Sequence, residues 1–158
     1  MTRLIDGPEL AARLRESFAE AILEVQPGWL VIAREALLPV MTHLKGDPEL
    51  ALDMLVAETA VDYEAHFEMV YQLASLRHNH GVVVKTRIEN KVDPETDSLV
   101  GLWQAADFQE REIWDLMGIR FRGHPNMKRI LTWEEFPGHP LRKDFLWVER
   151  QGPPLLEM

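Results

Sequence analysis

A chain of 158 residues, 46% of them hydrophobic and 27% charged, is long enough for one domain with a hydrophobic core and too short for two comfortable ones. Its formal net charge of -9 argues against a nucleic-acid partner, and the absence of cysteine excludes a disulfide framework, a thiol nucleophile, a thiolate zinc site and a Cys-ligated iron-sulfur cluster. No run approaches the ~20 apolar residues of a membrane span, and Met1 to Leu10 lack a signal-peptide core, so the chain is expected to be soluble and intracellular, reaching a membrane only through partners.

Pro8 opens an amphipathic pattern in which Leu10, Leu14 and Phe18 recur at helical spacing, predicting a helix over Pro8 to Phe18. The apolar runs Ala21 to Val25 and Trp29 to Ala33, separated by Gln26-Pro27-Gly28, predict a hairpin. Leu37, Leu38, Met41 and Leu44 then trace a helix from Arg34 to Leu44, which Pro39 permits only if it lies in the first turn or kinks it. Asp53 to Asp62 is apolar and β-branched enough for a strand, although its Leu, Met, Ala and Glu content also permits a helix. The alternation from Phe67 to Ala74 and the run Val82 to Ile88 give two more, joined by a turn at Arg77 to Gly81. After a polar loop from Glu89 to Asp97, Leu99, Leu102, Trp103, Ala106, Ile113, Leu116 and Met117 trace a helical stripe that stops at Gly118, a natural C′ residue.

Beyond Arg120 the chain is broken by Gly123-His124-Pro125, Gly138-His139-Pro140 and Gly152-Pro153-Pro154, predicting an extended tail with one helical turn near Asn126 to Leu131. The expectation is an α/β (α+β) fold, a two-layer domain over residues 1–118 with a mixed sheet of about five strands in the order α-β-β-α-β-β-β-α. Residues 119–158 form an extended C-terminal segment.

Two chemical features stand out. Arg120, Arg122, Lys128, Arg129, Arg142 and Lys143 face only Glu134 and Glu135 in a chain that is otherwise acidic, which suits either a solvated basic surface or docking on an acidic partner. Trp103, Trp114, Trp133 and Trp147, with Phe121, Phe136 and Phe145, gather in the last third, as an interface or a continued core requires.

On the long helix Asp107, Arg111 and Asp115 are spaced by four, allowing a salt-bridged row, while Trp103, Glu110, Trp114 and Met117 take a neighbouring face. Alternatively Glu110, Arg111, Glu112 and Asp115 tie His124, Lys128, Arg129 or Arg142 against the helix and hold the tail in register. His124 and His139 sit between Gly and Pro, and ordinary turn contacts compete with ligand or proton-transfer roles. His78 and His80 form a turn pair that needs a nearby carboxylate to bind metal. No glycine-rich phosphate loop, nucleophile elbow or zincin helix is present.

The stretch Glu110-Arg111-Glu112-Ile113-Trp114-Asp115-Leu116-Met117-Gly118-Ile119, followed by Gly123-His124-Pro125, Lys128-Arg129-Ile130-Leu131 and Gly138-His139-Pro140-Leu141-Arg142-Lys143-Asp144-Phe145, resembles the signature of the respiratory complex I thirty-kilodalton subunit family. It departs from the commonest pattern at Met127 and Leu146. The resemblance implies a non-catalytic scaffold in the hydrophilic arm of a complex I-like NADH:quinone oxidoreductase that couples electron transfer to quinone with proton translocation. Its C-terminal segment would dock on the large quinone-site subunit and on iron-sulfur subunits at the cytoplasmic face of the membrane.

The same resemblance implies no catalytic, cofactor or metal residue in this chain, with FMN, iron-sulfur clusters, NADH and quinone held by partners. Glu110, Arg111, Glu112, Asp115, Gly118, His124, Pro125, Lys128, Arg129, His139, Pro140, Arg142, Lys143, Asp144 and Phe145 are the signature and interface positions. Three alternatives stay open. One is a stand-alone acid/base or metal enzyme using His124 or His139 with Glu110, Glu112 or Asp115. Another is the equivalent subunit of a ferredoxin- or hydrogen-linked complex, and the last is an adaptor outside respiration.

Overall fold

A computed structural model describes residues 3–146. The first helix, α1 (Gly7–Phe18), is capped by Asp6, whose carboxylate accepts the Glu9 N–H at 2.8 Å. Gly7 is required there, since a Cβ would lie 2.0 Å from the Gln26 carbonyl oxygen in the following hairpin. That hairpin is β2 (Ile22–Gln26) with β3 (Trp29–Ile32), as its apolar runs predict. A 3₁₀ turn over Arg34–Ala36 leads into α2 (Leu37–Gly46), where Pro39 falls in the first turn and costs no hydrogen bond.

Strands β4 (Met54–Asp62), β5 (Phe67–Ser75) and β6 (His80–Ile88) form an antiparallel meander. With the hairpin they make one mixed sheet in the order β2-β3-β6-β5-β4, and the β3–β6 contact is parallel. A two-residue strand, β1 (Arg3–Leu4), pairs parallel with β6 and raises the sheet to six strands. Two residues carry no periodicity, so β1 was invisible in the sequence.

One face of the sheet builds the core. Phe67, Met69, Tyr71 and Leu73 alternate on β5 and stand opposite Ile88, Thr86, Val84 and Val82 on β6. All of these but Thr86 join Leu10 and Leu14 of α1, Leu37, Met41 and Leu44 of α2, and Ile113 of the last helix, all buried in a single cluster.

Three expectations change. Helix α3 runs Ala106–Met117, and Leu99 and Trp103 are buried on an isolated turn before it, where the Trp103 N–H bonds the Leu99 carbonyl at 2.9 Å. A single turn and a helix share i, i+3, i+4 spacing, so the stripe alone does not separate them. Trp103 therefore does not share the Glu110 and Trp114 face of the helix. Second, the loop expected over Glu89 to Asp97 contains β7 (Glu95–Asp97), parallel to β8 (Arg120–Arg122). Its partners are charged, with Arg120 bonding Asp93 at 2.8 and 3.1 Å and Arg122 bonding Asp97 at 3.0 Å. Third, the segment Asn126 to Leu131 has no helical turn, because its backbone donors are turned onto a side-chain carboxylate.

Candidate functional site at the helix and C-terminal segment

Helix α3 ends on Gly118, whose φ of 74° and ψ of 13° are left-handed and whose N–H bonds the Trp114 carbonyl at 2.8 Å. That turn reverses the chain, so β8 and the segment after it run back over the helix. Asp115 is the anchor. Its Oδ2 accepts the N–H groups of Ile130, Leu131 and Thr132 at 3.0, 2.8 and 2.9 Å, and its Oδ1 accepts Arg129 Nη1 at 2.7 Å and the Thr132 hydroxyl. Asp115 is fully buried, yet its carboxyl is held well below the usual carboxylate range. Burial alone would raise it, and the Thr132 side chain with the three backbone donors outweighs that effect.

Arg129 spends its guanidinium on the segment itself, donating to the Phe136 carbonyl at 3.0 Å and the Gly138 carbonyl at 3.1 Å while lying over the Trp114 ring. His139 Nδ1 lies 2.9 Å from the Asp115 carbonyl oxygen, and its ring fills the space where a Cβ on Gly118 would come within 2.6 Å. Phe145 stacks on Phe136, and its ring lies 2.9 Å from where a Cβ on Gly138, at a φ of 130°, would stand.

The far end of the segment is tied to the sheet. The Lys143 N–H bonds Asp62 Oδ2 at 2.8 Å, Lys91 reaches Asp62 Oδ1, and Arg142 bonds the Lys91 carbonyl at 3.0 Å while pairing bidentately with Asp144. Asp62 is lowered as well. Burial opposes this, and Lys91 together with the Lys143 N–H overcomes it.

The predicted signature residues thus divide. Asp115, Gly118, Arg129, His139, Arg142, Lys143, Asp144 and Phe145 form one connected dock, and Pro140 is half-buried within it. Arg111 does not pair with Asp107 and Asp115. It turns to the carbonyls of Lys128 and Arg129 at 3.0 and 3.4 Å, because the returning segment supplies acceptors at that face. Glu110 and His124 lie beneath, on the sheet side, whereas Glu112, Pro125 and Lys128 are exposed.

Nor do the six cations form one basic patch. Arg120 and Arg122 are paired on β7, and Arg129 and Arg142 are internal, leaving Lys128 and Lys143 as the exposed ammonium groups. Of the aromatic residues, Trp103, Phe121 and Phe136 are buried and Trp133 is exposed, while Trp147 lies outside the described residues. His78 and His80 stack at 5.5 Å and meet the carbonyls of Pro48 and Leu50. No set of three or more His, Asp and Glu side chains spaced to hold a metal occurs among the described residues.

Sequence reasoning missed Asp62, Lys91 and Thr132, which carry no motif. An acidic residue closing a mostly apolar strand was the available signal for Asp62.

Comparison with known proteins shows the family of the chain. Residues 30–151 match the family model described as "Respiratory-chain NADH dehydrogenase, 30 Kd subunit". The chain belongs to this family. It is 46% identical over 129 residues to the C-type subunit of NADH-quinone oxidoreductase from Moorella thermoacetica, covering 78% of this chain and 85% of that one. The C-type subunit from Roseiflexus castenholzii is 39% identical over 147 residues, covering 89% and 84%. An NADH-quinone oxidoreductase protein of C/D type from Sulfurihydrogenibium is 37% identical over 143 residues, covering 87% of this chain and 24% of that one. Among solved structures, a chain in the membrane-bound sulfane sulfur reductase, an archaeal respiratory membrane complex, superimposes with a TM-score of 0.70 at 25% identity, covering 90% of this chain and 86% of that chain. Family membership extends the resemblance from the Glu110 to Phe145 signature to most of the domain.

Proposed function

We propose that this chain is a structural and assembly subunit in the hydrophilic arm of a complex I-like NADH:quinone oxidoreductase, and that its C-terminal segment is the surface it offers to partners. Relatives named as subunits of NADH-quinone oxidoreductase, and a structural neighbour in a respiratory membrane complex, support membership of such an assembly. The geometry supports the scaffold role. The segment from Gly123 to Leu146 spends its backbone donors, Arg129 and Arg142 on holding its own path, and it turns Leu131, Trp133, Leu141 and Leu146 outward. A rigid backbone presenting an aromatic ring and aliphatic side chains beside Lys128 and Lys143 is how a protein interface is built.

In this reading the redox groups, FMN, iron-sulfur clusters, NADH and quinone, belong to partner subunits. The absence of cysteine from the sequence fits that division. The C/D-type relative, in which the matching segment occupies 24% of the length, supports a large D-type subunit as immediate neighbour. No helix among the described residues is long and apolar enough to cross a membrane, so attachment to the cytoplasmic face would run through those neighbours.

The test is co-purification from detergent-solubilised membranes with the tagged full-length chain. Wild type is expected to bring down the large subunit and cysteine-rich iron-sulfur subunits, and Leu131→Ser with Trp133→Ala to lose at least tenfold of that recovery while keeping a native circular dichroism spectrum. Recovery of wild type as a free monomer from cells with an intact complex would overturn the reading.

A further inference from the structure

Beneath α3, on the side away from the Asp115 dock, the core face of the sheet turns polar. Glu58 of β4 stands opposite Tyr71 of β5, with Thr86 of β6 and Thr96 of β7 among the same buried residues. Glu110 closes the group from above. It is 0% exposed, and its Oε1 accepts the Leu99 N–H at 2.6 Å.

Neither Glu58 oxygen has a hydrogen-bond partner in the structure, and Glu110 Oε2 has none either. The hydroxyls of Tyr71, Thr86 and Thr96 approach one another without closing a bond of good geometry. Such a gathering of under-bonded oxygens is unusual in a folded core, where buried polar atoms are nearly all paired. No lysine or arginine ion-pairs with either glutamate among the described residues. The nearest titratable base is His124, whose buried Nε2 lies 4.0 Å from Glu110 Oε2. Its Nδ1 accepts the Asn126 N–H at 3.0 Å, so a neutral ring carries its proton on Nε2, which faces the Asp107 carbonyl at 3.2 Å and carboxylate at 3.4 Å. Asp107 is one-third exposed and forms the outer edge.

Two carboxylates buried together without a cation are strongly disfavoured, whereas a neutral acid beside a carboxylate is not. We propose that Glu58 and Glu110 form a buried proton-binding site. At neutral pH Glu58 is a neutral carboxylic acid, and Glu110 binds and releases a second proton that exchanges with solvent along the His124–Asp107 edge.

Binding adds one proton to Glu110 Oε2 and converts the site from one negative charge to none. Release returns the proton to solvent past His124 and Asp107 with no other bond changed. The groups facing the pair are Asp107 and the pair's own Glu110 from α3, Glu58 from β4, Tyr71 from β5, His124 from the segment after β8, and the hydroxyls of Ser98, Thr86 and Thr96. Burial and the facing Glu110 push Glu58 well above the usual range, and burial raises Glu110 to about 7 in spite of its bonds to Ser98 and Leu99. This site does not depend on the scaffold reading.

The test uses the full-length chain, uniformly labelled with ¹³C-glutamate. Infrared difference spectra should show a protonated-carboxyl C=O band at pH 7.5 that disappears in Glu58→Gln, and a second that titrates near neutrality and disappears in Glu110→Gln. Between pH 5 and 7 the unfolding equilibrium constant of wild type should rise up to tenfold per pH unit for each proton released on unfolding, and in the Glu58→Gln, Glu110→Gln double variant by at most twofold across the window. Both bands should shift within minutes of transfer to D₂O, and more slowly in His124→Ala. A spectrum without a protonated carboxyl at pH 7.5 would overturn the proposal, and the labelled wild type decides this even if a variant fails to fold. A band indifferent to both glutamine substitutions, or a wild-type pH slope no steeper than that of the double variant, would also overturn it.

Discussion

Asp115 and Glu110 stand on the same helix, five residues apart, and both are fully buried, yet their surroundings drive them in opposite directions. Asp115 faces the returning C-terminal segment, where three backbone N–H groups, a hydroxyl and a guanidinium converge on two oxygens. Glu110 faces the sheet, where the Leu99 N–H and the Ser98 side chain reach it and its Oε2 lies near a histidine ring. Burial alone therefore does not set the charge of a carboxyl. What decides is how many donors the fold brings to it, and α3 separates a donor-rich side from a donor-poor one.

Breaking the donor-rich side should have the largest effect. Asp115→Asn leaves Arg129 mostly buried without its anion and points an amide N–H₂ at existing donors. About 3–5 kcal/mol of stability should be lost in urea titration, with new protease cleavage between Gly123 and Leu146.

Acid and base should test the two sides separately. The folded-state value of Asp115 is lowered, so its contribution is complete above its ordinary value of 3.8 and is lost as pH falls below it. Glu110 is raised from 4.5 to about 7, so the folded chain keeps a proton there that the unfolded chain gives up, and stability declines as pH rises through that window. The decline should reach roughly 3 kcal/mol by pH 7 and be smaller in Glu110→Gln, as read from unfolding midpoints across pH.

At the turn joining the two sides, Gly118→Ala meets both a left-handed backbone and the His139 ring, and should cost about 2 kcal/mol. Removing the ring with His139→Ala should recover the steric part in a double-mutant cycle, leaving about 1 kcal/mol from the backbone. The smallest effect is expected from Arg120→Ala. Its pairs with Asp93 and Glu95 are largely exposed, and its loss should change stability by less than about 1 kcal/mol.

The donor-rich side was largely legible in the sequence and the donor-poor side was not. Asp115, Arg129, Gly118 and His139 sit in a dense run of distinctive residues, and a glycine after an amphipathic stripe announces a helix end whatever follows it. The five long strands and the first two helices were legible for the same reason, since periodicity and turn chemistry act locally. Glu58 was hidden because a lone glutamate within Ala57-Glu58-Thr59 carries no motif and does not announce which face of a strand it takes. Only the register opposite Tyr71, with α3 laid across it, shows that the side chain is enclosed. Strands β7 and β8 were hidden differently. Two charged residues around a single Thr96 or Phe121 have no strand signature until their complementary partners, 25 positions away along the chain, are brought alongside.

The bond from the Lys143 N–H to Asp62 joins residues 81 positions apart. During synthesis from the N-terminus, β4, β5 and β6 emerge long before residue 143, so Asp62 waits with Lys91 as its counter-charge. The segment that carries Lys143 thus meets strands synthesised well before it. A chain stalled before that point would lack the residues that cover α3, and with them the surface proposed for partners.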